Sequence, residues 1–141
     1  MKIIQSFFLG LIIMTLSNPT EAKTLPPCPK SPNCVSSQAT GEHFIPPFKI
    51  KGKPESAFAA LKNALTGQSR TVITEASGDT VHAEATSLIF RFVDDIEAIL
   101  DADAGLIHIR SASRVGYSDF GVNRRRVERL RTTLQQAGVI E

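Results

Sequence analysis

The sequence is short of soft metal ligands, of net charge and of long apolar runs. It holds only two cysteines and three histidines, and His43, His82 and His108 are scattered singly. A metal centre built on thiolate and imidazole needs more ligands than that, so no metal and no cofactor is expected. The formal net charge is +2, too near neutral for bulk nucleic-acid binding. The one extended apolar run, Ile3 to Leu16, falls short of the roughly 20 apolar residues that a membrane-spanning helix requires. A complete catalytic set is also missing. Ser111 and Ser113 have no evident base, because His82 and His108 sit in strand-like segments and His108 is expected on the outer face of its strand. Asp94 and Asp95 are adjacent, so on a strand they point to opposite faces and cannot act jointly on one bond. No catalytic residue is therefore assigned.

What is present begins with a leader. Lys2, the apolar run and the small-residue site Thr20-Glu21-Ala22 follow the order of a secretory signal peptide, with cleavage expected after Ala22. No cysteine directly follows the run, which argues against a lipoprotein anchor. Taking residues 1–22 from 141 leaves 119, the size of a single domain. The expected location is periplasmic or secreted, with no membrane span after cleavage. In an oxidising compartment Cys28 and Cys34 are expected to pair as a disulfide. Their spacing is not the CxxC of redox centres, and Pro29 and Pro32 oppose the helix that would activate a thiolate. The bond would staple a proline-rich arm over residues 23–42, followed by a domain over 43–141.

Within that domain, His43–Ile50 reads as an edge strand interrupted by Pro46 and Pro47. Pro54 opens a helix that buries Phe58, Leu61, Ala64 and Leu65, and Gly67 closes it. Strands are expected at Thr71–Ala76, Thr80–Thr86, Leu88–Leu100 and Leu106–Ser113, joined by short turns and therefore antiparallel. A last helix runs to about Ala137 with Val127, Leu130, Leu134 and Ala137 buried, and Ser118, Asp119 or Asn123 is placed to cap it. The order β-α-β-β-β-β-α gives an α+β fold: one antiparallel sheet of four to five strands with both helices on one face.

Alternation along Leu88–Leu100 assigns Leu88, Phe90, Phe92, Ile96, Ala98 and Leu100 to the core face, with Asp94 among them. Pairing Leu100 with Ile107 sets Ala98 against Ile109, Ile96 against Ser111 and Asp94 against Ser113. On the outer face it sets Glu97 against Arg110 and Val93 against Arg114, with Asp95 diagonal to both arginines. A one-residue slip would bury His108 and Arg110, so the apolar pattern selects this register. A buried Asp94 must be hydrogen-bonded, ion-paired or protonated; Ser111, Ser113, Arg124 and Arg125 are its candidate partners. From Arg110 to Arg131 there are seven arginines against Asp119 and Glu128, either a solvated basic face or a site for an anion or acidic partner.

The segments CPKSPNCVSS, HAEATS, RFVDDIE and IRSASRVGYSDFGVNRRRVE, in that order, resemble the domain-of-unknown-function family 1499 over nearly the whole mature chain. Cys28, Cys34, Glu84, Arg91, Asp94, Asp95, Glu97, Arg110, Ser111, Ser113, Arg114, Gly116, Ser118, Asp119, Gly121, Asn123, Arg124 and Arg126 all fit its pattern, which carries no assigned activity. The reading is then a non-catalytic envelope module binding a small anionic or lipidic ligand or an acidic partner. Its candidate ligand residues are Arg91, Asp94, Asp95, Glu97, Arg110, Ser111, Ser113, Arg114, Asp119, Asn123 and Arg124. The alternatives are an assembly factor docking on an envelope protein partner, and a hydrolase.

Overall fold

In a computed structural model residues 23–141 are described; the expected leader and its cleavage site lie outside them. The elements are β1 (Cys34–Ser36), a 3-10 turn (Gly41–His43), β2 (Phe48–Lys49), α1 (Pro54–Gly67), β3 (Thr71–Ser77), β4 (Thr80–Thr86), β5 (Val93–Asp101), β6 (Leu106–Ser113) and α2 (Val122–Gln136). Together they make an α+β domain with one six-stranded sheet ordered β1-β6-β5-β4-β3, β2 sharing the β6 edge with β1. All the strand pairs are antiparallel.

Helix α1 starts at Pro54, whose missing N–H costs nothing in the first turn, and buries Ala57, Phe58, Leu61 and Leu65. Helix α2 follows Gly121 at φ 76°, a left-handed conformation that favours glycine; a Cβ there would also lie 2.9 Å from the Arg125 guanidinium. Both helices cover the same face of the sheet and join one core with Ile45, Phe48, Ile96, Ile109, Leu130 and Leu134.

The register matches the hydrophobic pattern: Asp94 faces Ser113, Ile96 faces Ser111, Glu97 faces Arg110 and Leu100 faces Ile107. The Val93 carbonyl accepts the Arg114 amide at 3.1 Å. Five expectations need correction. The sheet has six strands, not four to five, and Ala137, expected on the buried face of the last helix, lies exposed just past its end at Gln136. β5 begins only at Val93, so Leu88, Phe90 and Phe92 belong to an exposed loop and not to the core face. The alternation is real, but the sheet has no covering layer for it to face there. The stapled arm also contributes more than an extended tether: Cys34, Val35 and Ser36 are buried and add β1 to the sheet. The expected edge strand His43–Ile50 shrinks to Phe48–Lys49, as Pro46 and Pro47 require.

Cys28 and Cys34 form a disulfide, which fits an oxidising, extracytoplasmic compartment. Among the described residues no helix is long and apolar enough to cross a membrane.

Candidate functional site

The inward face of β5 carries Asp94, whose carboxylate accepts a hydrogen bond from Arg126 at 2.7 Å. The two side chains are only 13% and 8% exposed, so each charge is matched where water cannot do it. Arg126 also donates to Ser111 Oγ (3.1 Å) and to Asn123 Oδ1 (2.7 Å), and the Ser111 hydroxyl donates to the same Asn123 oxygen at 2.7 Å. The Asn123 amide reaches Ser113 Oγ, the Asn33 carbonyl and Asp119. Sheet, helix α2 and arm are thereby joined by one buried polar network.

Neither Arg124 nor Arg125 is the partner of Asp94. Arg124 donates to the carbonyls of Phe44 (3.0 Å) and Glu42 (2.7 Å), and Arg125 donates to that of Phe120. The physical reason is helix periodicity: Asn123, Arg126, Val127 and Leu130 share the buried stripe, whereas 124 and 125 fall beside it. The basic run is thus largely absorbed by the fold, since Arg131 also donates to the Pro47 carbonyl and lies 4.8 Å over the Phe48 ring.

Asp119 serves the start of α2. Its two oxygens accept the amides of Gly121 (2.8 Å) and Asn123 (3.0 Å), satisfying donors that the helix leaves open. Burial pushes its carboxyl up, and those two amides with the Asn123 side chain outweigh that push and hold it below its ordinary value. With Arg124, His43 and Cys34, Asp119 also lines a small cavity of about 170 Å³.

The outward face of the sheet holds a second, separate set. Glu97 accepts from Arg110 at 2.7 Å. Asp95 accepts two hydrogen bonds from Arg114, both at 2.8 Å, and Arg114 also binds Glu84. Of the two arginines diagonal to Asp95, only Arg114 bonds to it. The Arg114 guanidinium holds the Asp95 carboxyl below its ordinary value; partial burial opposes it and His82 adds to it. His82 bridges Asp95 (Nε2, 2.8 Å) and the Thr74 hydroxyl (Nδ1, 2.7 Å). A bulge in β3, between Ile73 and Glu75, aims Thr74 at that ring. In the sequence His82 figures only as a base for Ser111 or Ser113 and Thr74 has no role, because the bulge that joins them breaks the strand alternation.

On the helix-covered side, the sheet end opens into a cavity of about 560 Å³. Its walls come from the α1–β3 connection (Gln68 to Thr71), the end of β4 and the following loop (Ala85 to Leu88), Asp94 on β5, and Val122, Arg126, Arg129 and Thr133 on α2. Of the candidate ligand residues named from the sequence, Asp94 alone lines it. Ser111 and Asn123 are buried in the network behind it with Ser113 half-buried at its edge, Asp95, Glu97, Arg110 and Arg114 are on the other face, and Arg91 is on the exposed β4–β5 loop. Arg70, Arg126 and Arg129 are the basic lining residues; the sequence places Arg126 and Arg129 within the basic run of seven arginines and marks no role for Arg70. Arg126 was findable, standing on the helical stripe of Val127 and Leu130; Arg70 and Arg129 carry no pattern of their own. Among the described residues no cluster of histidine, cysteine, aspartate and glutamate could hold a metal ion.

No curated protein matches this chain. A family model described as "Protein of unknown function (DUF1499)" matches residues 24–134, a span that takes in the disulfide, all six strands and nearly all of α2. The chain belongs to the DUF1499 family.

Proposed function

We propose that this protein is a non-catalytic binding module of the cell envelope, periplasmic or secreted, and that it takes a small amphipathic anion in the cavity beside Asp94 and Arg126. The observation that carries this reading is the division of charge in that cavity. At its inner end Asp94 and Arg126 neutralise each other. At its mouth Arg70 and Arg129 are exposed and form no ion pair among the described residues, and Leu88 and Val122 stand beside them. Arg70 gives only its Nε to the Thr86 carbonyl (3.0 Å), and its terminal nitrogens together with the Arg129 guanidinium suit a phosphate or carboxylate, while the apolar pair suits a short hydrocarbon segment. The volume lies within the range of small-molecule sites, roughly 300–1,000 Å³.

Native mass spectrometry of protein purified from its own compartment tests this. The expected result is an adduct of small mass on the native chain that is absent from an Arg70→Ala/Arg129→Ala variant. A bare chain mass for the native protein, or an adduct the variant retains, overturns the reading.

A hydrolytic reading has one observation in its favour, the hydroxyl–imidazole–carboxylate relay of Thr74, His82 and Asp95. Two others oppose it. Asp95 is committed to Arg114, and the 560 Å³ cavity opens on the opposite side of the sheet. Docking of an acidic partner on α2 is disfavoured because Arg124, Arg126 and Arg131 are occupied by the protein's own carbonyls and by Asp94.

A further inference from the structure

Among the described residues ten large apolar side chains are exposed, and apart from Phe44 and Val72 all of them lie on two segments. Leu88, Ile89, Phe90 and Phe92 are on the β4–β5 loop; Val115, Tyr117 and Phe120 are on the β6–α2 connection and Val122 opens α2. Both segments leave the same end of the sheet. The first is closed at its base by the Ser87 amide on the Phe92 carbonyl (2.8 Å), and the second starts at Arg114, whose amide bonds Val93 (3.1 Å). Exposure is greatest at the tips: 87% for Phe120, 79% for Ile89, 74% for Tyr117 and 73% for Phe90. Side chains of this size present 150–250 Å² each when aromatic, so the patch is on the order of 1,000 Å², well above the few hundred that soluble monomers usually show.

The tip is also shaped and charged in a particular way. Arg91 (φ 57°) and Phe120 (φ 51°) hold left-handed backbone conformations that non-glycine residues rarely adopt, one in each loop. Phe90 and Phe92 stack at 5.5 Å, leaving Arg91 between them in sequence. Arg70, Arg91, Arg125 and Arg129 are exposed at this end of the domain, while the nearby acids are committed: Asp119 to the α2 amides, Asp95 and Glu84 to Arg114. At the opposite end the turns carry Asp79, Asp101 and Asp103 and expose no large apolar residue.

We infer that this tip is a membrane-docking surface, and that its partner is the interface of an anionic lipid bilayer. Convex apolar loops can bury their aromatic and aliphatic ends at the acyl boundary while arginines meet lipid phosphates. Tyr117 has the ring and hydroxyl that favour headgroup depth. A second copy meeting tip to tip would oppose arginine to arginine, which disfavours self-association there. Leu88 and Val122 belong both to the tip and to the cavity mouth, so docking would bring that mouth to the lipid surface. The inference does not depend on what the cavity holds.

The chain provides its own reporter. It has one tyrosine and no tryptophan, so its intrinsic fluorescence comes from Tyr117 alone. With vesicles of phosphatidylglycerol and phosphatidylcholine, the protein should co-sediment, and brominated acyl chains should quench Tyr117. Phe90→Ser/Phe120→Ser, which touches no core residue, should lower partitioning at least about tenfold. Arg91→Gln should lower it about fivefold on anionic vesicles and not on pure phosphatidylcholine. Ile89→Ser, read by the same quenching, serves if the double variant does not fold. Absence of co-sedimentation, sedimentation without quenching, or tip variants that bind as the native chain does would each overturn the inference. So would a native dimer that Phe90→Ser/Phe120→Ser dissociates without any vesicle binding. Phe90→Ser/Phe120→Ser also separates the two proposals, because neither residue lines the cavity: it should abolish the quenching of Tyr117 while the mass adduct is retained.

Discussion

Asp94 and Asp95 are neighbours in the chain, and each meets an arginine at 2.7 to 2.8 Å, yet the strand sends them into different environments. Asp94 enters the helix-covered side, where Arg126 is its one ionic partner and both are nearly cut off from water. Asp95 stands on the open side, where Arg114, Glu84 and His82 share the charge and Arg114 is 42% exposed. Inside, a pair must be complete because nothing else can solvate the survivor. Outside, water and neighbouring groups substitute for a lost partner, so the same distance carries far less consequence. Interaction length is a poor guide to importance; the surroundings decide.

The largest expected effect follows from the inner pair. Asp94→Asn should strand Arg126 and cost about 3–5 kcal/mol in urea denaturation. In a double-mutant cycle Asp94→Asn should couple strongly to Arg126→Gln and be additive with Arg124→Ala, which removes contacts to Glu42 and Phe44 only. A loss below about 1 kcal/mol would place the inner pair with the outer ones and erase the contrast.

Asp119 tests the border between the two regions. Asp119→Ala should cost about 1 kcal/mol, the usual loss when the carboxylate holding a helix's first amides is removed. The folded-state pKa values of Asp119 and Asp95 both lie below the ordinary 3.8, so each carboxylate contributes stability above that pH. The contribution is lost as pH falls below about 4 and through the folded-state values. The urea midpoint of the native protein should therefore drop between pH 5 and pH 2, and Asp119→Ala should flatten part of that drop. An unchanged slope in the variant would deny Asp119 this role.

The smallest effect is expected on the open face. Glu97→Ala should cost about 1 kcal/mol, toward the upper end for such pairs because the Glu97 and Arg110 side chains are only 23% and 12% exposed and Arg110 Nε is already buried without a partner. A measured loss of 3 kcal/mol or more would make this pair a second buried one and leave the two faces alike.

The register was legible because the β5 and β6 alternation leaves only one pairing that buries Ile96, Ala98, Ile107 and Ile109 and keeps His108 and Arg110 out. Helix α1 was legible from Pro54 and Gly67, and the disulfide from the cysteine count. Leu88–Phe92 misled for a definite reason: period-two apolarity describes a side chain's preference for cover, and whether cover exists depends on where distant helices end. The Asp94 partner was half legible, since the α2 stripe contains Arg126, but attention to the helix start favoured Arg124 and Arg125. The cavity had no linear signature, because its walls are drawn from separated stretches of chain that meet only after the sheet has formed.

One consequence of the strand order concerns when this domain can exist. Among the described residues the first strand, β1, seats against the last, β6, and the Asn33 carbonyl beside it accepts the Ser113 amide and the Asn123 side chain. The Cys28–Cys34 bond spans so few residues that it can close at any stage, but its strand has no resting place until the C-terminal third of the chain has emerged. Such long-range closure raises contact order and slows folding. A chain interrupted before β6 would carry a finished disulfide on an unseated arm, and its sheet would keep an open edge ready to pair with another molecule.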